Sequence, residues 1–295
     1  MAQPAAKLLT CFFVVAALLV VATLVFTRNQ PPPAGPPLPK PNGWDDFVQA
    51  GRMVADNTSD FNTMSEADLR AFSLRNSEAL KLARTGLTHE CQVPLDLSSP
   101  NPTYYTNLAV LKRLAQAVTA EGRLAQLENR PGEAAEAYLI VIRLGYSISH
   151  GGLLIDSLVS IAVRAIGTVS LEKLAPKLDA KQCREAATAL ESCEQLSEPM
   201  QAVFARDRAW SRRAYGLKGQ ISLIVNYRSA KQMEQRSAAR LATQQTRERV
   251  LLIQLASRAY ELEKGDRPKT LAELVPAYLK TIPQNPVTGT KMAYP

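Results

Sequence analysis

Residues Leu153–Leu174 read LLIDSLVSIAVRAIGTVSLEKL. In this chain of 295 residues, the stretch gives the main indication of how the protein folds. Its polar residues recur every four positions and therefore form one narrow stripe along an otherwise apolar helix. They are Asp156, Ser160, Arg164, Thr168 and Glu172. A helix that is apolar around most of its circumference belongs in a protein core. We interpret the stripe as one solvated edge of that core helix, with a functional ion-pair track as the alternative.

A membrane span is the competing interpretation of the same stretch. A transmembrane helix needs about 20 consecutive apolar residues. The longest uncharged runs here, Ser157–Val163 and Ala165–Leu171, contain seven residues each. We therefore predict a helix at the centre of a folded body.

A helical hairpin is predicted just before this central helix. The pattern favours helices over 104–128 and 133–147, joined by the turn Asn129-Arg130-Pro131-Gly132. Four residues have spacings that resemble a tetratricopeptide hairpin, where a small residue lets two helices approach closely. They are Gly122, Ala134, Tyr138 and Leu144. The resemblance covers one hairpin, because no second copy follows 34 residues later.

The rest of the body also has a helical composition, since Leu and Ala dominate and aromatic residues make up 6%. Pro94, Pro100 and Pro102 predict an irregular segment over 88–103. Apolar periodicity and capping residues predict five further helices. They cover about 44–55, 65–86, 180–196, 198–215 and 229–264. We predict an all-α fold: an irregular antiparallel bundle of about eight helices.

The C-terminal segment Arg258–Pro295 has the most specific pattern in the chain. Thr270 and Glu273 form a capping box, Pro276 ends the short helix, and an extended tail follows. This module resembles the C-terminal module of many uncharacterised bacterial membrane-anchored helical proteins. It is also similar to the corresponding stretch of type II secretion pseudopilins. In both groups an Asp usually precedes the second proline of the tail, where this chain has Asn285.

The N-terminal stretch Leu8–Phe26, LLTCFFVVAALLVVATLVF, contains nineteen uncharged residues. As a helix it would extend about 28 Å, close to the thickness of a bilayer core. It lacks the Gly and Glu of a pilin leader and a cleavage site, so we predict a retained signal anchor. Seven prolines within Pro31–Pro41 predict a polyproline II spacer that holds the body roughly 30 Å from the membrane.

Three segments follow from this organisation. Residues 1–28 are the membrane anchor, 29–42 the Pro-rich spacer, and 43–295 the helical body, which includes the module 258–295. A short leader before a single N-terminal span normally stays inside. We therefore predict a single-pass protein with a cytoplasmic N-terminus and an extracytoplasmic body in the bacterial envelope. The body, including Trp44–Phe47 and Glu90–Pro94, resembles the anchored family, which implies architecture and location but no activity.

The net charge of +8 is concentrated in one segment. Residues 201–250 contain eleven Lys or Arg and three Asp or Glu, a difference of +8. A solvated helix face is the first interpretation, an acidic-partner or anionic-lipid surface the second, and a nucleic-acid surface the third. The residues of the candidate surface are Arg206, Arg208, Arg212, Arg213, Lys218 and Arg228. An extracytoplasmic body disfavours nucleic acid.

The sequence predicts no catalytic residue, no cofactor and no metal. His89 and His150 are the two histidines; the run His89-Glu90-Cys91 lacks zinc-like spacing, and His150-Gly151-Gly152 has no accompanying Gly-x-Ser-x-Gly nucleophile motif. Cys11 lies in the predicted span. Outside it, Cys91 could pair with Cys183 or Cys193, or all three could be free thiols.

We therefore predict a membrane-tethered envelope scaffold or protein-interaction module without catalytic activity. It would contact the lipid bilayer through Leu8–Phe26 and a protein partner of unknown identity. One alternative is an accessory component of a secretion or pilus-like machine. Another is an unrecognised enzyme, which would require a deep pocket lined by carboxylates or by His89 or His150.

Overall fold

The computed structural model of the chain describes residues 15, 37–55, 61–95, 102–216 and 225–293. Apart from Val15, which is helical, the predicted span Leu8–Phe26 lies outside the described residues. The described part is all-α and contains no β-strand, which confirms the predicted fold class. Its nine α-helices are α1 (Gly43–Met53), α2 (Glu66–Arg75), α3 (Ser77–Gly86), α4 (Pro102–Leu127), α5 (Pro131–Ser147), α6 (Leu154–Leu174), α7 (Ala180–Glu194), α8 (Met200–Ala214) and α9 (Tyr227–Lys264).

The predicted central helix is α6, which packs against α4, α5 and α9. It runs antiparallel to α5, because Gly145 near the end of α5 lies against Arg164, whereas Gly167, further along α6, lies against Tyr138, which is earlier in α5. By length and composition, Leu154–Lys177 is the one described helix that could span a membrane, with a mean hydropathy of 1.6. Its packing against three helices also accounts for this apolar composition, as expected for a core helix.

The predicted hairpin is formed by α4 and α5. Asn129 adopts a φ of 56° in the turn between them, and Pro131 occupies the first turn of α5, where proline is favoured. A Cβ at Gly122 would lie 2.6 Å from Cε1 of Tyr138, so glycine is required for the observed approach of the two helices. The hairpin is therefore present, and its likeness to a tetratricopeptide repeat stays a prediction.

Two local predictions are wrong. The single helix expected over 65–86 is divided at Asn76, whose side chain accepts a hydrogen bond from Ala55 N (2.8 Å) and donates one to Phe72 O (2.9 Å). The first bond joins Asn76 to the segment after α1 and the second joins it to the last turn of α2, and both compete with a continuous helical pattern of bonds. Pro102, predicted to exclude regular structure, instead begins α4, because the missing N–H costs nothing in a first turn.

Two hydrophobic clusters form the core, and α5 and α6 contribute to both. The first cluster is centred on α1, α3 and α4, and the second on α7, α9 and the C-terminal tail. The capping box of Thr270 and Glu273 is present and begins a 3₁₀ helix, Leu271–Leu274. Tyr278 and Leu279 beyond it are buried, so the tail is an integral part of the second cluster.

Candidate functional site

The polar stripe of α6 is buried, so its interpretation as a solvated edge is wrong. Asp156, Ser160, Arg164 and Thr168 are buried, and only Glu172 is partly exposed. The reason is that α9, far along the chain, packs over this side of α6. The stripe therefore faces other protein groups and not water.

A buried ion pair lies at the middle of the stripe. Arg164 donates to Glu248 of α9 from Nε (2.9 Å to Oε1) and from Nη2 (2.5 Å to Oε2). Tyr146 of α5 donates its hydroxyl to Glu248 Oε2 (2.7 Å), and Gln244 Nε2 donates to Glu248 Oε1 (2.9 Å). The side chains of Arg164 and Glu248 are only 2% and 8% exposed. Isolated charges at such positions would be very unfavourable, so the pairing is essential.

The electrostatics of this cluster favour a charged Arg164 and a neutral Tyr146. Burial alone would lower the pKa of Arg164, but the charge of Glu248 and the hydrogen bonds to it raise that pKa overall. Burial raises the pKa of Tyr146, whose hydroxyl therefore stays protonated at neutral pH. The guanidinium carbon of Arg164 also lies 3.8 Å from the centroid of the Tyr146 ring. The positive charge of Arg164 and the negative charge of Glu248 are therefore paired within the cluster, which joins α5, α6 and α9.

Two small cavities flank Tyr146. One, of about 20 Å³, lies between α6 and the start of α8 and is lined by Ser157, Ser160 and Met200 among others. The other, of about 10 Å³, borders Glu194 and Glu248. Each has room for roughly one water molecule, far less than the several hundred Å³ of a typical ligand pocket. A third, open groove of about 540 Å³ lies between α9 and Pro286-Val287 and is lined mainly by Ala and Thr.

Asp156 is a buried carboxylate that the ion pair does not use. Its Oδ2 accepts the backbone N–H of Leu153 (2.7 Å), while its buried Oδ1 has no hydrogen-bond partner. Burial raises the pKa of Asp156 to about 7, although the hydrogen bond from Leu153 lowers it. Asp207 of α8 accepts the N–H of Leu154 nearby (3.2 Å) and raises the pKa of Asp156 further. The start of α6 therefore holds two carboxylates in a poorly hydrated environment.

His89 and Cys91 have structural partners. His89 Nδ1 lies 2.7 Å from Asp46 Oδ2, and Cys91 Sγ donates to Ser147 O (3.2 Å). Burial raises the pKa of Cys91 to about 12, which makes this thiol a poor nucleophile. Cys91, Cys183 and Cys193 are all free, which confirms the free-thiol alternative, and neither possible pairing of Cys91 is present. Within the described ranges, no group of three His, Cys, Asp or Glu residues is suited to a metal ion.

The predicted basic surface is only partly available to a partner. Arg206 pairs with Glu198, and Arg208 pairs with Glu234. Arg212 and Arg228 are exposed and make no ion pair with any described residue, whereas Arg213 is half-buried. Lys218 lies outside the described residues.

Sequence reasoning missed the partners of the α6 stripe. Glu248 is 84 residues from Arg164, and Tyr146 is 102 residues from Glu248. One signal was available: Gln244 and Glu248 are four residues apart and continue the core-facing stripe of α9, which includes Leu251 and Leu255. Two polar residues on a buried face predict a polar partner on the helix they meet.

Comparison of the chain with protein-family models, curated proteins and solved structures finds no match. The class of the protein therefore follows from its own fold and from the arrangement of its charged side chains. The described residues form an all-α bundle with a buried ion pair, Arg164–Glu248. In its basic segment, carboxylates pair with some of the described cations, Arg206 and Arg208 among them.

Proposed function

We propose that this protein is a membrane-tethered envelope scaffold or protein-interaction module without catalytic activity. Leu8–Phe26 would anchor it in the bilayer, and the spacer Pro31–Pro41 would hold the helical body outside the membrane. The proposal combines these two sequence features with the way the end of the spacer joins the body.

The observation that carries the proposal is the junction at Asn42. This residue is buried, and its Oδ1 accepts hydrogen bonds from Trp44 N (3.1 Å) and Gln92 N (3.0 Å). Its Nδ2 donates to Gln92 O (2.8 Å), and the next residue, Gly43, donates to Glu90 O (2.9 Å). The spacer therefore ends at a fixed point on the bundle. Such a junction suits a protein that presents one face of its body at a defined position relative to a membrane.

The interior supports a structural role for the body. Arg164, Glu248 and Tyr146 form hydrogen bonds with one another, and each cavity beside them has room for about one water. Buried charges that are paired in this way rigidify and join helices. A rigid body of this kind can present a surface to a partner without rearranging.

The proposed location can be tested by thiol labelling in intact cells. Cys183 and Cys193 are buried and Cys91 is partly buried, so a new cysteine at an exposed site is needed. Lys181→Cys places a thiol where the native side chain is 83% exposed. We expect a membrane-impermeant maleimide to label this variant in intact cells, and the unsubstituted protein to give the background. Labelling only after lysis would place the body in the cytoplasm and contradict the proposal.

The membrane anchor needs a separate measurement. Alkaline carbonate should leave the full chain in the membrane pellet, because the apolar span would lie in the hydrocarbon core. Release into the supernatant would contradict the anchor. Copurification of the detergent-solubilised protein with secretion-machine components would instead favour the accessory-component alternative.

A further inference from the structure

Two helical segments leave the core next to each other. The last buried residue of α8 is Val203, and the first buried residue of α9 is Ser237. Between them, no described residue of 204–216 or 225–236 is buried. Arg208 and Glu234 form an ion pair between the two segments. We call residues 204–216 and 225–236 the basic arm.

The basic arm carries excess positive charge and exposed apolar groups. It contains seven Lys or Arg and two Asp or Glu, a net charge of +5. Both carboxylates are engaged, Asp207 by the N–H of Leu154 and Glu234 by Arg208. Four exposed cations make no ion pair with any residue that the structure describes: Arg212, Arg228, Lys231 and Arg236. Tyr215, Val225, Tyr227 and Met233 are the large apolar residues exposed among them.

The direction of α8 shows which end of the bundle the arm extends from. Val203 lines the same cavity as Ser160, whereas Asp207, one turn later, reaches Leu154 at the first residue of α6. The helix α8 therefore runs toward the N-terminal end of α6. Its remaining seven residues, 208–214, add about 10 Å of helix beyond Asp207.

The spacer joins the body at this same end. Asn42 is hydrogen-bonded to Gln92, and the residue after Gln92 donates its N–H to His150 O (2.9 Å) in the α5–α6 connection. Two residues further along that connection, Gly152 O accepts a hydrogen bond from Arg206 at the base of the arm (2.6 Å). A continuous set of contacts thus links the end of the spacer to the base of the basic arm.

We propose that the basic arm is a second membrane contact, which binds anionic phospholipid headgroups of the bilayer that Leu8–Phe26 is predicted to span. The inference rests on the proposed tether: roughly 30 Å is the greatest distance that the spacer sets between the body and the bilayer, and a spacer inclined to the membrane brings the arm to the headgroups. Tyr side chains among Lys and Arg are typical of protein segments at a membrane interface. Each Lys or Arg near an anionic surface strengthens binding about fivefold. The exposed apolar residues and the shared end favour a membrane over nucleic acid.

The native Trp210 in the arm can report this contact in the full chain. Trp44→Phe removes the other tryptophan, which is buried in the first cluster. We would reconstitute this variant into vesicles of phosphatidylcholine, alone or mixed with phosphatidylglycerol, containing lipids brominated near the headgroup. We expect quenching of Trp210 fluorescence in the anionic vesicles, weaker quenching in the neutral ones, and loss of the difference at high salt.

Charge reversal provides the matched comparison. Arg212→Glu, Arg228→Glu and Lys231→Glu together should lower quenching in anionic vesicles to the neutral level. The control triple reverses three exposed lysines outside the arm, Lys81, Lys112 and Lys177, and should leave quenching unchanged. Far-UV circular dichroism would establish that both triples are folded. Equal effects of the two triples, or equal quenching in both lipids, would overturn the inference.

Two further outcomes separate the alternatives. If carbonate releases the full chain from the vesicles, the proposed tether itself fails. If the chain stays embedded but Trp210 is not quenched, only the second membrane contact fails. Tight binding of a fluorescent single-stranded oligonucleotide that the arm triple abolishes, without lipid quenching, would identify the arm as a nucleic-acid surface and overturn the inference.

Discussion

Removing the charge of Glu248 should be among the most damaging single changes to the stability of this protein. Glu248→Gln keeps the shape of the side chain but leaves the Arg164 guanidinium without its counter-charge. Arg164 is only 2% exposed, so water cannot replace the lost partner. Glu248 also accepts hydrogen bonds from Tyr146 and Gln244, and these donors would have to rearrange around a neutral amide.

The expected magnitude follows from the burial of the pair. Breaking a buried ion pair by removing one partner typically costs about 3–5 kcal/mol. For a body of this size, that corresponds to a melting temperature lower by roughly 6–20 °C. The pair Glu172–Arg247 provides the control, because its side chains are 24% and 45% exposed. Glu172→Gln should therefore cost at most about 1 kcal/mol.

The assay is chemical unfolding of the full chain in detergent micelles, followed by far-UV circular dichroism. Replacing both buried charges, as in Arg164→Met with Glu248→Leu, should recover most of the stability, since an apolar pair needs no counter-charge. The reasoning would be refuted if Glu248→Gln cost no more than Glu172→Gln. It would also be refuted if the double variant were less stable than Glu248→Gln.

Three other predictions can be checked by the same unfolding assay. Gly145→Ala places a Cβ 2.5 Å from Arg164 Cγ and 3.1 Å from Ser160 O, so overpacking should cost about 1–3 kcal/mol; unchanged stability would contradict the close approach of α5 and α6. Because the pKa of Asp156 is raised to about 7, the folded state binds more protons than the unfolded state between about pH 4 and 7. Stability should therefore fall as pH rises through this range, by up to about 4 kcal/mol for this group, and Asp156→Asn should remove that contribution. Asp179→Ala should cost about 1 kcal/mol by removing the capping box with Gln182, and an equal loss in Gln182→Ala would support the reciprocal bonds.

Local features of the fold were predictable because they depend on neighbouring residues. The capping boxes at Asp179 and Thr270 are signalled by a partner three residues later, and both are present. Gly122 was predicted to permit a close helix approach, and it does. The division of the 65–86 helix at Asn76 was missed, because its cause is a hydrogen bond to Ala55 in a different segment.

The all-α class, the core helix α6 and the concentration of excess positive charge in residues 201–250 all follow from the amino-acid sequence alone. Tertiary structure decided what the polar residues do. Arg164 meets Glu248 across 84 residues of sequence, and helical periodicity can place each on a stripe but cannot say which stripes face each other. The physical reason is that burial depends on the packing of distant helices. For the same reason, only the packed structure shows that Asn42 and the base of the basic arm lie at the same end of the bundle.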